Sequence, residues 1–188
     1  VYYTSTRLDT PVSIMFPSRT LSEIYSVSVQ GGREQQFLAV PSEHMKWNAT
    51  GDQFLFENIK GYEDQWRKHH TSSITRDIVL YDTNQKAYKK IANWEGEERN
   101  PVWNGQTGIY FLSEKGGSFN IWRKDINSNT YGTQITEHTT HPVRFLSASK
   151  SGVLCYGYDG EIYTYQNGSS KKVNITIKSD QPNNLYEF

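Results

Sequence analysis

The chain repeats one short pattern of polar and apolar positions four times. In each copy a polar residue precedes an isoleucine, an aromatic residue or valine follows it, and polar residues and a turn come next. The copies are Ser22–Val29, Arg76–Thr83, Phe119–Ile126 and Gly160–Asn167. Their isoleucines, Ile24, Ile78, Ile121 and Ile162, lie 54, 43 and 41 residues apart. Because neighbouring residues of a strand point to opposite faces, both faces of each repeated strand require burial.

Alternation of apolar and polar residues, with turn residues at each break, predicts strands along the whole chain and almost no helix. Hairpin turns are indicated at Asn104-Gly105, Asp159-Gly160 and Asn167-Gly168. We predict an incomplete unit over 1–40, a unit over 41–93 with an insertion at 60–73, and units over 94–137 and 138–177. Residues 178–188 are expected to be a linker or the start of the next unit.

A strand-rich repeat of about 40 residues is typical of the β-propeller blade, a sheet of four antiparallel strands. A blade stacked between two others buries both faces, as the repeated pattern requires. The sequence therefore predicts an all-β fold, a β-propeller with about four blades of four antiparallel strands, the first of them incomplete. The alternative is a β-sandwich in which the similarity of the strands is coincidental.

Composition and charge exclude several classes of function. The 188 residues have a formal net charge of zero, which gives no electrostatic attraction to nucleic acid or to an anionic membrane. No apolar run approaches the roughly 20 residues of a membrane-spanning helix. Neither a Gly-x-Ser-x-Gly nucleophile turn nor a phosphate-binding loop occurs. We therefore expect no catalytic residue and no cofactor in these residues.

Candidate binding residues concentrate on one predicted face. In a four-stranded up-and-down blade, the connection between strands two and three shares a face with the connections between blades. The first two units both have this connection expanded, so the two expansions are predicted to lie side by side. The five histidines map to the same face: His44, His138 and His141 in connections between blades, and His69 and His70 in the insertion.

The insertion interleaves aromatic and charged residues, a mixture that suits contact with a peptide or a protein subunit. The candidate binding residues of this loop face are Tyr62, Glu63, Asp64, Trp66, Arg67, Lys68, His69, His70, Glu97, Arg99 and His141. Packing of the insertion against its own fold is the alternative, since surface loops are polar in any case. The run from Glu97 to Arg99 is most simply a solvated turn, whose exposed ion pairs contribute little.

A metal site has little support in the sequence. His69 and His70 are adjacent, so their side chains diverge in an extended chain. His138 and His141 are spaced to meet in a turn, but no carboxylate stands in register with them. We expect no metal site.

Several strings resemble known propellers. Ser22–Tyr25 followed by Gly31-Gly32 resembles the repeat of TolB-type, WD-repeat-like blades, as does Asn100–Gly105 followed by Gly108–Phe111. Four longer strings resemble the N-terminal six-bladed propeller of bacterial tricorn-type serine peptidases: Gly61–Ser72, Trp94–Trp103, Thr140–Ser147 and Tyr158–Tyr163. This second resemblance extends over nearly the whole chain.

The resemblance implies a non-catalytic propeller of a large homo-oligomeric peptidase, in which a second propeller, a PDZ domain and the peptidase core follow. It implies peptides or protein subunits as partners, and a role in peptide passage or selection and in assembly. It assigns no nucleophile or base to these residues, and leaves both the bacterial periplasm and the cytoplasm open. A stand-alone TolB-like interaction propeller is the alternative. An enzyme that acts through the histidine-bearing face ranks far behind.

Overall fold

The computed structural model describes residues 1–6, 21–61, 64, 66–92 and 94–176. Within these ranges the chain forms strands and no helix. The strands are β1 (Tyr2–Ser5), β2 (Glu23–Ser26), β3 (Gln35–Leu38), β4 (Ser42–Trp47), β5 (Gln53–Asn58), β6 (Asp77–Asp82), β7 (Ala87–Ala92), β8 (Glu98–Asn104), β9 (Gly108–Ser113), β10 (Asn120–Asp125), β11 (Thr133–Gln134), β12 (Arg144–Ala148), β13 (Leu154–Tyr158), β14 (Glu161–Gln166) and β15 (Ser169–Lys172).

The strands form four antiparallel sheets, each in chain order. Sheet 1 contains β1 to β3, sheet 2 contains β4 to β7, sheet 3 contains β8 to β11, and sheet 4 contains β12 to β15. The predicted all-β class and the antiparallel up-and-down blades are confirmed. At the turn between β13 and β14, Asp159 and Gly160 both have positive φ, 51° and 73°, as a type I′ hairpin turn requires.

Apolar side chains on both faces of the middle strands hold the sheets together. In β5, Phe54 and Phe56 pack toward sheet 1, whereas Leu55 between them packs toward sheet 3. In β9, Phe111 packs toward sheet 2 and Leu112 toward sheet 4. All five side chains are at most 1% exposed. The alternation of a strand thus supplies two separate cores, one on each side of its sheet.

The first strands of sheets 2, 3 and 4 are neighbours in space, since β8 contacts both β4 and β12. Each contains a β-bulge with one residue in the left-handed region: His44 (φ 53°), Asn100 (φ 49°) and Phe145 (φ 57°). The bulge therefore repeats once per sheet, along the innermost strands. This placement corrects one sequence prediction, because His44 lies inside β4 and not in a connection between blades.

One backbone hydrogen bond recurs at each junction between sheets. In every case an N–H at the start of the next innermost strand donates to the carbonyl two residues before the repeated isoleucine. The bonds run from Ser42 to Ser22 (2.7 Å), from Glu98 to Arg76 (3.1 Å) and from Val143 to Phe119 (2.9 Å). This bond sets the same register between consecutive sheets.

The repeated isoleucines differ in burial according to whether another sheet follows. Ile24, Ile78 and Ile121 are 0% exposed, whereas Ile162 is 42% exposed. Among the described residues no further sheet covers the outer face of sheet 4. The expectation that both faces of every repeated strand are buried therefore fails at the fourth copy.

We expect Ile121→Ala to lower the free energy of unfolding by about 2–5 kcal/mol, because it removes fully buried methyl groups and leaves a cavity. The equivalent change Ile162→Ala should cost about 0.5 kcal/mol, as is usual for surface sites. Urea denaturation of the 188-residue chain, followed by tryptophan fluorescence, measures both. Similar losses at the two positions would contradict this packing scheme.

Candidate functional site

A buried run of charges follows the innermost strands. Glu97, Glu98 and Arg99 are only 2%, 0% and 7% exposed, so the prediction of a solvated turn is wrong. The reason is that β8 already begins at Glu98, and Glu97 and Arg99 on either side of it pair with each other and with Arg76. Buried charges require partners.

Arg76 is the centre of this charge cluster. Its Nη1 lies 2.7 Å from Glu43 Oε2 and 2.8 Å from Glu57 Oε2, and its backbone N–H donates to Glu97 Oε2 at 3.1 Å. Arg99 extends the cluster, with Nη2 2.8 Å from Glu97 Oε1. Carboxylates and guanidinium groups thus alternate from sheet 2 to sheet 3, so that Glu57, Arg76, Glu97 and Arg99 are all paired.

Glu57 is fully buried and accepts hydrogen bonds from two of the bulge residues. Its Oε1 lies 2.8 Å from His44 Nδ1 and 2.6 Å from the backbone nitrogen of Asn100. Burial by itself would raise the pKa of Glu57, but the His44 hydrogen bond and the Arg76 charge outweigh it and lower this pKa to about 2. The same bond to Glu57 raises the pKa of His44. Glu57 is therefore a permanent anion at neutral pH.

Three possible metal ligands converge in this cluster, since donor atoms of Glu43, His44 and Glu57 lie within 4.8 Å of one another. However, the Arg76 guanidinium already bridges both carboxylates, so it supplies the positive charge that a metal ion would bring. The grouping fits an ion-pair cluster better than a metal centre.

His138 and His141 have separate interaction partners. The His138 ring stacks on Tyr158 at 3.8 Å, and His141 Nε2 lies 3.2 Å from Asp159 Oδ1. Burial lowers the pKa of His138. Each imidazole ring therefore already interacts with a neighbouring side chain of sheet 4.

The insertion leaves sheet 2 and reaches across sheet 3 to sheet 4. The His69 N–H donates to Glu114 Oε2 at 2.8 Å, and Glu114 directly follows β9. Further along the surface, the Trp66 ring meets the Phe145 ring edge to face, with centroids 6.0 Å apart. The insertion is thus tied to its own fold, while Trp66 remains 57% exposed.

Two cavities meet at Trp66. The smaller, about 60 Å³, is bordered by all three bulge residues, His44, Asn100 and Phe145. We call these three residues and Trp66 the bulge rim. The larger cavity, about 550 Å³, extends from Trp66 and Phe145 over the outer face of sheet 4 to Ile162. Phe145 and Trp66 of the bulge rim are the most exposed aromatic side chains among the described residues, at 66% and 57%.

The predicted binding residues fall into three groups. Trp66, Lys68 and His141 border the larger cavity, whereas Glu97 and Arg99 belong to the buried charge cluster. Four other candidates lie on the insertion, half-buried in the case of His70 and exposed in the others: Asp64, Arg67, His69 and His70.

Some sequence predictions fall outside the described residues. These are Tyr62, Glu63, the expanded connection of the first unit over 7–20, and the segment 178–188.

Sequence reasoning missed Arg144 and Phe145, which border both cavities. A signal for them existed in the first strands of the units. Alignment of these strands matches Arg144-Phe145 with Arg99-Asn100 and Glu43-His44, a charged residue followed by the bulge residue.

The architecture defines a class of protein. Four-stranded antiparallel sheets, stacked face to face with their first strands together, are the blades of a β-propeller. The family model of the tricorn protease N-terminal beta propeller domain matches residues 11–171, and the chain belongs to this family. A comparison with curated protein sequences found no match.

Solved structures show the same fold. The chain is similar to the tricorn protease, with 20% identity and a TM-score of 0.72, over 92% of this chain and 16% of the protease chain. A protein assigned as TolB from Agrobacterium tumefaciens gives 19% identity and a TM-score of 0.67, over 91% and 60% of the two chains. A puromycin-hydrolyzing peptidase of Mycobacterium tuberculosis gives 11% and 0.64, over 89% and 28%. The chain thus spans about a sixth of the tricorn protease. Within the described residues, nothing forms a helix suited to crossing a membrane.

Proposed function

We propose that the chain is a non-catalytic propeller of a tricorn-like serine peptidase, and that it passes or selects peptides and takes part in assembly. The observation that carries this proposal is the bulge rim. Both faces of the middle strands are used for packing between sheets, whereas the rim presents aromatic and polar side chains at one end of the innermost strands. The innermost strands of a propeller surround its channel. A peptide that enters the channel at this end meets the rim first.

Photo-cross-linking tests the peptide role. Ten-residue unstructured peptides with an N-terminal diazirine are expected to label the 188-residue chain mainly on residues 66–70 and 141–145, as mapped by mass spectrometry. The second large cavity, about 720 Å³ and bordered by Trp47, Trp103 and Lys150 at the first hairpin turns, serves as the internal comparison. Labelling that is no stronger than on an unrelated protein of similar size, or that is spread evenly, would contradict the proposal.

The assembly role has its own support. Gly160 stands two residues before Ile162, as Ser22, Arg76 and Phe119 stand before their isoleucines, so its carbonyl is the equivalent acceptor for the first strand of a further blade. Ile162 is exposed where its counterparts are covered. We therefore infer that another blade of the same polypeptide packs on sheet 4.

A stand-alone TolB-like interaction propeller is the second candidate, favoured by the 60% of the TolB chain that this chain spans. Intact-protein mass spectrometry of the product in its source cells separates the two. A product several times larger than 21.7 kDa supports the peptidase propeller. A product of 21.7 kDa would favour the stand-alone propeller.

A further inference from the structure

Phe145 is held in a conformation that folding alone does not explain. Its φ of 57° lies in the left-handed region, where a bulky apolar residue is rare and strained by about 1–3 kcal/mol. At the equivalent bulges, His44 hydrogen-bonds Glu57, and Asn100 is of a residue type that tolerates this region. Phe145 has neither advantage, and 66% of it is exposed. The strain therefore displays an aromatic ring to the outside of the packed core.

Arg144 holds Trp66, the second exposed aromatic residue of the bulge rim, in place. Its Nη2 donates to the backbone carbonyl of Trp66 at 3.5 Å, and its guanidinium lies over the Phe119 ring at 4.8 Å and over the Trp66 ring at 5.8 Å. Trp66 in turn meets Phe145 at an interplanar angle of 75°. The two exposed rings are thus positioned as adjacent walls and are not independent surface side chains.

The cavity beside the Trp66 and Phe145 rings has room for a third aromatic ring. Together with its part over Ile162 it measures about 550 Å³, and it is lined by Gly157, where an added Cβ would lie 3.3 Å from Phe145 Cδ2. A side chain at position 157 would therefore crowd the ring. The rim of the cavity carries both signs of charge, Lys68 and Arg144 against Asp159 and Glu161. Neither an acidic nor a basic ligand is favoured by this balance, whereas a neutral aromatic group is.

The position of Phe145 in the repeat indicates which part of the cavity remains accessible in a propeller with further blades. Ile162, at the far side, matches Ile78 and Ile121, which the next sheet covers completely. The bulge position behaves differently, because the His44 side chain stays 49% exposed although sheet 3 covers sheet 2. Phe145 therefore remains on the channel side with the Trp66 ring packed against it, where an extended chain reaches it.

We propose that Trp66 and Phe145 form a slot that binds an aromatic side chain of an extended peptide. This inference rests on the proposed function and names the class of peptide that the rim selects. An entering aromatic ring packs edge to face against the two walls, an arrangement that aromatic pairs prefer.

Isothermal titration calorimetry of the 188-residue chain tests the slot with two probes, acetyl-Gly-Gly-Phe-Gly-Gly-amide and its Ala analogue. We expect the Phe peptide to bind about tenfold more tightly or better, because the analogue leaves the slot empty. Phe145→Asn should remove this preference without loss of stability, since Asn occupies the equivalent Asn100 bulge. Trp66→Ala should also weaken the preference for the Phe peptide.

Tyr88→Ala is the matched control, because Tyr88 is a 49% exposed aromatic residue in β7, outside both cavities of the bulge rim. It should keep the full preference for the Phe peptide. Equal binding of the two peptides by the wild type, or a preference that survives Phe145→Asn, would overturn the slot and leave the proposed function standing. Binding of neither peptide, together with failed photo-cross-linking, would overturn both.

Discussion

Glu57→Gln is expected to lower the free energy of unfolding by about 3–5 kcal/mol, since it breaks a buried ion pair and leaves Arg76 with the partly exposed Glu43 and a longer contact to Glu97. Arg76 retains Glu43 and Glu97, but its side chain is only 11% exposed and Glu57 is its one fully buried partner. Gln at position 57 can keep its oxygen toward the Asn100 N–H, but its amide nitrogen then replaces the oxygen that Arg76 contacts. The change therefore removes the charge and the hydrogen bond to Arg76 together. Chemical denaturation at pH 7 measures the loss.

Glu43→Gln is the matched control, because Glu43 contacts the same Arg76 nitrogen but is 37% exposed. Its loss should be about 1 kcal/mol or less. Equal losses for the two single glutamine variants would show that burial does not decide the strength of these pairs.

The pH dependence of the Glu57 pair has a defined sign. The pKa of Glu57 falls from 4.5 to about 2 on folding, so the folded chain binds fewer protons than the unfolded chain in this interval. The contribution of the pair to stability is therefore fully present above pH 4.5 and lost as the pH falls toward 2. Glu57→Gln should flatten this acid limb of the stability profile.

Glu98→Gln is expected to stabilise the chain at pH 8 and above, relative to the wild type, by about 3–5 kcal/mol. Burial raises the pKa of Glu98 to about 8, and the nearby Asp77 charge adds to the rise. The Tyr131 hydroxyl lies 2.6 Å from Glu98 Oε1, but Oε2 has no hydrogen-bond partner among the described residues. The protonated form therefore suits the site, and ionisation is unfavourable.

The contribution of Glu98 to stability changes with pH in the opposite direction to the contribution of Glu57. Between pH 4.5 and 8 the folded chain holds the Glu98 proton and the unfolded chain does not, so wild-type stability falls as the pH rises. Glu98→Gln should greatly reduce this slope in denaturation curves recorded from pH 5 to 9, and the raised pKa of His44 accounts for a remaining fall in the same direction. Glu95→Gln, a change at an exposed site three residues away, should leave the slope intact. An unchanged slope in Glu98→Gln would rule out a buried acid at this position.

The repeat could be predicted from the sequence because it is local. An isoleucine with an apolar neighbour specifies a strand that needs two covered faces, and Asp159-Gly160 specifies a tight turn. Both signals lie within a few residues, and both appear in the structure. The fold class followed from their spacing.

The charge cluster could not be predicted in the same way. Glu97 to Arg99 has the composition of a surface turn, and its burial depends on the pairing of Glu97 with Arg99 and with Arg76, which directly precedes β6. The path of the insertion was likewise inaccessible, because Trp66 and Phe145 are far apart in the chain and no local pattern relates them. An apolar phenylalanine side chain is expected to be buried, so the exposure of Phe145 can be recognised only from the bulge in the structure.

The alternation within β5 and β9 has a consequence for how the molecule comes apart. Each middle strand contributes to two cores, and each core lies between two consecutive sheets. The stabilising element is therefore the junction and not the individual sheet, as in other linear arrays whose units interact only with their neighbours. Unfolding of a sheet at either end removes one junction, whereas unfolding of a sheet in the middle removes two.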